Sequence, residues 1–321
     1  MAENLVSVVV PTFNRPAMLR EALASIRAQE TSGYAVEILV GDNGENAETR
    51  KVSEEFDARY LKVVAPGAGA ARNAGYFAAN GDLIAFLDDD DVWLPGTLGR
   101  RIAYLNERAG LDAAFGQIIN TDQELRPISD PWPIELPENR ELLLRTMLSG
   151  YFPQIGATLT RARVREGLGG FDESLIGDQD WDWQLRLARK YNVGFMAEPC
   201  VHFRQRAPGS YDALQSRRIP FTKQVFIRHA LASWQIWRSP INLVRAYNAI
   251  LQQFFQYFLN SVILRSDEND YSSARDALKI AFRHFPLRMS RQIMMNRRLR
   301  KASIAAIASH RSSNPAITFK N

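Results

Sequence analysis

Between Leu5 and Leu87 the chain alternates short apolar runs with segments whose apolar residues recur at helical spacing, and few folds accept that alternation. Residues 5–10 are rich in β-branched side chains and stop at Pro11. Pro16 then opens a helix-spaced segment to residue 29, with Leu19, Leu23 and Ile26 on one face. Residues 36–40 predict a second strand, 47–56 a second helix and 60–64 a third strand. Gly67 to Gly69 lead into an Ala-rich helix, and residues 83–87 form a wholly apolar strand. Strands this short and this apolar belong in a parallel sheet covered by helices on both faces.

After Pro95 the pattern loosens. A helix to about Asn106 precedes a strand over 113–120, a loop over 122–133 with three prolines, and a strand over 156–160. A turn at Gly169-Gly170, a helix over 179–190 and closing strands at 193–196 and 200–203 complete this half. From residue 211 the pattern is helical, with breaks near Pro240, 266–270 and Pro286, and the last ten residues read as disordered. There is no internal repeat. An α/β domain over 1–210 and a helical region over 211–321 are expected.

Hydrophobic residues at 46% and charged residues at 23% exclude wholesale disorder. The single Cys200 excludes an intrachain disulfide and fits a reducing cytoplasm, and the first residues carry no basic or long apolar stretch of a signal peptide. The net charge of +5 conceals an asymmetry. Residues 1–210 hold 22 Lys+Arg against 30 Asp+Glu, a net of −8, and residues 211–321 hold 18 against 5, a net of +13.

In a doubly wound sheet, ligands bind beyond the carboxyl ends of the strands. Those ends here read Thr12-Phe13-Asn14-Arg15, Gly41-Asp42-Asn43 and Asp88-Asp89-Asp90-Asp91. Polar strand ends are ordinary at a solvated rim, but four consecutive carboxylates repel one another unless a cation is present. In an extended segment Asp88 and Asp90 share one side and Asp89 and Asp91 the other. The first two then make a hard oxygen pair suited to Mg²⁺ or Mn²⁺. The other reading is a solvated turn with Asp91 capping the next helix. Gly67 to Gly75 suits either phosphate binding at a helix start or close helix–sheet packing. Asp178, Asp180 and Asp182 lack the Gly and the terminal Glu of a calcium loop, and they begin a helix in which one Asp would suffice as cap.

Four stretches in this order resemble glycosyltransferase family 2: SVVVPTFNRP (7–16), EILVGDNGEN (37–46), GAGAARNAGYFAANGDLIAFLDDDDVWLPGTL (67–98) and GGFDESLIGDQDWDWQLRLA (169–188). The resemblance spans about residues 5–206 and implies a GT-A fold, with a nucleotide-sugar part over about 1–110 and an acceptor part over about 111–210. It implies that Pro11, Thr12, Asn14 and Arg15 form the first nucleotide-contacting loop and that Asp42 reads the base of a UDP- or dTDP-sugar. Arg72 and Asn73 match the Ala-Arg-Asn element beside the nucleotide. Asp88 and Asp90 match the Asp-x-Asp pair, with Asp89 between them in the nucleotide site and Asp91 a further metal ligand. Asp180 matches the catalytic carboxylate of an inverting displacement. Asn43, Gln179 and Arg206 depart from the commoner Asp, Glu and His, and His202 or Arg206 is left to support metal or diphosphate.

Acceptors of such enzymes are often glycans or lipid-linked glycans. The basic helical region is therefore read as an interfacial element on an anionic membrane, peripheral on its inner face, or as a subdomain packing on the core or on a second subunit. Polar residues through 241–264 argue against a transmembrane helix, and no motif accompanies the charge to suggest nucleic acid. Two other functions compete: a non-catalytic sugar-nucleotide scaffold, which has no need of Asp180, and a nucleotidyltransferase, whose Gly-rich loop is absent at residues 11–16.

Overall fold

A computed structural model describes residues 4–31, 33–206 and 212–312, so the last ten residues expected to be disordered lie almost wholly outside the described residues. The strands are β1 (Leu5–Thr12), β2 (Ala35–Asp42), β3 (Arg59–Lys62), β4 (Leu83–Phe86), β5 (Val92–Trp93), β6 (Ala113–Thr121), β7 (Thr158–Arg161) and β8 (Val193–Arg204). The helices are α1 (Pro16–Arg27), α2 (Ala47–Glu55), α3 (Ala68–Ala78), α4 (Thr97–Asn106), α5 (Arg140–Leu148), α6 (Arg163–Leu168), α7 (Gln179–Lys190), α8 (Asp212–Ala232), α9 (Pro240–Asp267), α10 (Tyr271–His284), α11 (Pro286–Met295) and α12 (Arg297–Ser312).

The strands form one sheet in the order β3–β2–β1–β4–β7–β6–β8–β5. The strands of residues 5–87 that form its first four places run parallel, as the apolar pattern predicts, and the sheet becomes mixed only through β5 and β7. β1 runs parallel to β2 and β4, β2 to β3, and β6 to β8, but β7 is antiparallel to β4 and β6, and β5 to β8. Apolarity reports burial on both faces and is silent on strand direction. The two expected closing strands are one strand, β8, whose pairing with β6 slips around Gly116 and Gln117. Pro199 sits opposite Gln117 at that slip, where a residue without an N–H interrupts the ladder.

Alternation along the strands builds two cores. Val6, Val8 and Val10 share one cluster with Leu19, Leu23 and Ile26 of α1 and Leu98 and Ile102 of α4. Residues one step out of phase face the other way. Phe86 lies 5.7 Å from the Tyr76 ring and 5.5 Å from Phe171, which stacks on Trp183 at 5.1 Å. Gly75 lets α3 approach β1 here, since a Cβ would stand 2.6 Å from Val9 Cγ1.

The chain divides into two compact units, residues 1–205 with 221–243, and residues 206–220 with 244–321. The helical region expected from residue 211 thus contributes to both. In the second unit, Phe254, Phe258, Val262, Ala277, Ala281 and Met289 are buried. Asp212 accepts from Ser261 Oγ at 3.1 Å and lies 3.4 Å from Arg265. No helix among the described residues is long and apolar enough to cross a membrane.

Candidate active site

β1, β2 and β4 are parallel neighbours, with Pro11 opposite Gly41 and Thr12 opposite Asp42, so their carboxyl ends share one rim. Beyond β4 the acidic run makes a turn, closed by the Asp91 N–H donating to the Asp88 carbonyl at 3.1 Å. This turn overrides the alternation expected of an extended segment. Asp88, Asp90 and Asp91 bring carboxylate oxygens within 4.8 Å of one another. Asp89 is turned away from that group, accepting from Thr12 Oγ1 at 2.6 Å and facing Arg15 Nη2 at 2.5 Å. The capping alternative for Asp91 fails, because β5 intervenes and α4 begins only at Thr97.

Burial sets the electrostatics of the turn. It raises the Asp88 carboxyl despite Arg72, and it pushes Asp89 up to about 7 against the pull of Arg15. Asp91 is raised well above the ordinary range, by burial and then by the charges of Asp90 and Asp88. Arginines supply the counter-charge. Arg15 Nη1 donates to Asp90 at 2.5 Å, and Arg72 Nη2 donates to Asp88 at 2.6 Å. Arg72 is buried, and its Nε and Nη1 have no hydrogen-bond partner among the described residues. Arg204, which sequence reasoning passed over between His202 and Arg206, binds the turn from β8. Its N–H donates to Asp91 at 2.9 Å and its Nε to the Asp90 carbonyl at 2.9 Å.

Three more of the expected nucleotide residues, Asn14, Asp42 and Asn73, have protein partners. Asn14, at φ 54°, accepts from the N–H groups of Glu45 at 2.8 Å and Asn46 at 3.0 Å, and so shapes the loop after β2. Asp42 is buried, accepting from the Gly44 N–H at 2.8 Å and the Tyr60 hydroxyl at 2.9 Å. Burial, reinforced by Asp42, pushes the Tyr60 hydroxyl up to about 12. Asn73 accepts from the Phe171 N–H at 2.7 Å and donates to the Phe171 carbonyl at 3.0 Å and Glu173 Oε1 at 2.7 Å. It pins the 171–173 loop to α3. His202 pairs with Val92, the residue after the acidic run, and burial lowers its imidazole. Arg206 is exposed, and residues 207–210 of the closing segment lie outside the described residues.

Asp180 lies half-buried in the first turn of α7, its Oδ1 accepting from the Trp181 N–H at 2.8 Å. Its charge reaches the acidic turn. Arg72 is held protonated against its burial by Asp88 first and by Asp180 next, and Asp180 adds to the factors raising Asp88. The simple capping role for these aspartates fails, since Asp178 stands at the N-cap with φ 60° and its side chain caps nothing. Asp178 instead accepts from Thr222 Oγ1. Asp182 accepts from Arg186 Nε, Arg228 Nη1 and His229 Nε2, each at 2.9 Å. Arg189 donates to His229 Nδ1 at 2.5 Å, so the ring must carry its proton on Nε2. This buried network fixes α7, and with it the direction in which Asp180 faces.

Comparisons with known proteins agree with this geometry. The family model described as glycosyl transferase family 2 matches residues 7–166. An uncharacterized glycosyltransferase of Bacillus subtilis, YwdF, is 29% identical over 197 residues, covering 59% of this chain and 69% of the relative. The Escherichia coli UDP-Glc:alpha-D-GlcNAc-diphosphoundecaprenol beta-1,3-glucosyltransferase WfgD is 32% identical over 109 residues, covering 33% of this chain and 42% of the relative. Residues 1–349 of Staphylococcus aureus TarS share the fold at a TM-score of 0.55 with 17% identity, covering 96% of this chain and 92% of that one. An acidic turn flanked by arginines, on a sheet of this topology and within a stretch matched by that model, makes the chain a glycosyltransferase of family 2.

Proposed function

We propose that the chain transfers a sugar from a UDP- or dTDP-linked donor to an acceptor hydroxyl by a single inverting displacement. One observation carries this reading: Asp88, Asp90 and Asp91 converge within 4.8 Å at the rim with Arg72 donating to Asp88 at 2.6 Å, and the charge of Asp180 is among those acting on that pair. Asp180 takes the proton from the acceptor hydroxyl as that oxygen attacks the anomeric carbon, and the nucleoside diphosphate leaves on the opposite side. Arg72, with two unpartnered N–H donors in a buried position, and Arg15 bind diphosphate oxygens. Thr12, Pro11, Asn14, Asp42 and Asn73 hold the walls of the nucleotide pocket. His202, opposite Val92 just after the acidic run, would support the diphosphate from β8.

An all-oxygen set at this spacing fits Mg²⁺ or Mn²⁺, and Asp88, Asp90 and Asp91 are the residues that would hold the ion. When bound, such an ion neutralises charge developing on the leaving diphosphate. The lipid-diphosphate glycan that WfgD is named for supports a glycan or lipid-linked acceptor. In the second unit, Leu287, Met294 and Met295 are exposed, and no carboxylate side chain follows Asp276. That combination supports docking on an anionic membrane surface, because two copies meeting through this face would bring like charges together. The decisive experiment for the donor reading is a thermal-shift screen of nucleoside diphosphates and nucleotide-sugars with and without Mn²⁺. Stabilisation by UDP or dTDP only with the ion is expected, and no nucleotide response would overturn the reading.

A further inference from the structure

β6 carries a second feature on the rim that holds the acidic turn. Its residues beyond Phe115 run past the end of β7, and Trp132 folds back onto them. Trp132 exchanges both main-chain hydrogen bonds with Ile118, each at 2.9 Å, so its backbone is fixed. Its indole is nevertheless 42% exposed. The Tyr151 ring meets it edge-on at 5.0 Å. With Leu142 and Thr146 of α5, these rings line a groove of about 530 Å³. That volume suits one or two pyranose rings, whose apolar C–H faces pack on aromatic walls.

The groove is joined to the base. Phe152, the residue after Tyr151, lies 4.6 Å from the Trp181 ring, and Trp181 directly follows Asp180. The Trp181 Nε1–H is buried and has no partner among the described residues, a donor left for a ligand. The groove is also charged. A smaller recess of about 110 Å³ shares Leu142 and Arg145 with it and reaches Arg238. Neither Arg145 nor Arg238 has an ion-pair or hydrogen-bond partner among the described residues, although Glu141 lies one turn before Arg145. Two guanidinium groups against the single carboxylate of Glu141 in that recess leave a net positive charge beside an aromatic platform, which matches a sugar bearing a negative group.

We propose that this groove binds the acceptor, and that the acceptor is an anionic saccharide. Its phosphate or carboxylate engages Arg145 and Arg238 while a sugar ring packs on Trp132. The inference rests on Asp180 as the base, since Tyr151 of the groove is followed by Phe152, which packs on Trp181 next to that residue. The test is titration calorimetry of the full chain with glucose 1-phosphate, glucuronate and uncharged methyl glucoside. One or both anionic sugars should bind about tenfold more tightly than methyl glucoside, with the better of the two identifying phosphate or carboxylate. Arg145→Ala with Arg238→Ala should erase that preference, and Trp132→Ala should weaken binding of all three. Equal affinity for the three sugars, no binding up to about 20 mM, or a preference that survives the double substitution would overturn the proposal. The UDP–Mn²⁺ thermal shift, measured on each variant, checks the fold. It also separates the two readings, because its absence from the unaltered chain counts against the donor site and leaves the groove result standing.

Discussion

Arg204 and Asp91, 113 residues apart in the chain, meet through a main-chain N–H on a carboxylate oxygen at 2.9 Å. The Arg204 guanidinium also holds the Asp90 carbonyl at 2.9 Å and the Gln123 carbonyl at 2.8 Å. The last long strand of the sheet therefore clasps the turn that presents the carboxylates. Arg204→Ala should raise the donor KM about tenfold, the loss expected of one or two hydrogen bonds from a charged donor. Steady-state kinetics at several Mn²⁺ concentrations would check this. The Mn²⁺ requirement should rise together with KM.

Asp180→Asn keeps the side chain's shape and removes its ability to accept a proton. Transfer should fall about a hundred- to ten-thousandfold, while UDP binding with Mn²⁺ stays near the unaltered value. Loss of nucleotide binding in the same variant would remove Asp180 from the role of base.

Asp88→Asn and Asp90→Asn should each abolish the Mn²⁺-dependent part of the UDP thermal shift, because each deletes one of three convergent ligands. Asp89→Asn should act differently. It weakens the contacts with Thr12 and Arg15, so the melting temperature without ligand should drop.

Acidification should loosen the support behind α7. Burial favours neutral Asp182, but the His229 hydrogen bond and the Arg186 charge outweigh it and hold the folded carboxyl well below the usual range. That contribution is present above the unfolded value of about 3.9 and is lost as pH falls below it. Burial lowers His229 despite Asp182, so the folded state prefers the neutral ring. Its contribution is present above about pH 6.5 and is lost as pH falls through the lowered value. Between about pH 7 and 5 His229 should therefore lower the urea midpoint while the raised carboxyls of Asp88, Asp89 and Asp91 act in the opposite direction, and His229→Gln should remove the first contribution, shifting the slope toward stabilisation by acid. Asp182→Ala should cost about 3 kcal/mol at neutral pH, by leaving Arg186 and Arg228 without their shared partner.

The second unit should bring the full chain down with vesicles containing anionic lipid, and less so in high salt. Arg291→Glu with Arg297→Glu should weaken this association about tenfold or more. Deletion from residue 211 would be a poorer test, because residues 221–243 belong to the first unit. Unchanged vesicle binding, together with loss of a dimer in light scattering, would assign this face to a second copy.

The strand ends were legible because apolar runs mark where a buried strand stops, and the residues just past each stop form the rim. Thr12, Arg15 and the acidic run could therefore be placed together from the order of residues alone. Asp180 joined them through its resemblance, and its charge is felt at Asp88. The alternation within the run was misleading because a turn governs residues 88–91. Arg204 carried no sign in the sequence, since its partners lie 81 or more residues away and one of its bonds uses the main chain. The mixed strand directions and the Trp132–Tyr151 groove were hidden for the same reason: both depend on how the long 122–157 segment returns to the sheet.

The Asn73 clamp has a consequence for exchanging parts between related enzymes. Its single amide satisfies both main-chain groups of Phe171 and also meets Glu173. A graft that replaced the loop and helix around Asp180 with those of another family member would have to bring a backbone that fits this amide. Otherwise it would bury three unmet polar groups at the seam. Acceptor preference in this scaffold is therefore best retuned from the groove side, through Arg145, Arg238 and Trp132, where no such joint is crossed.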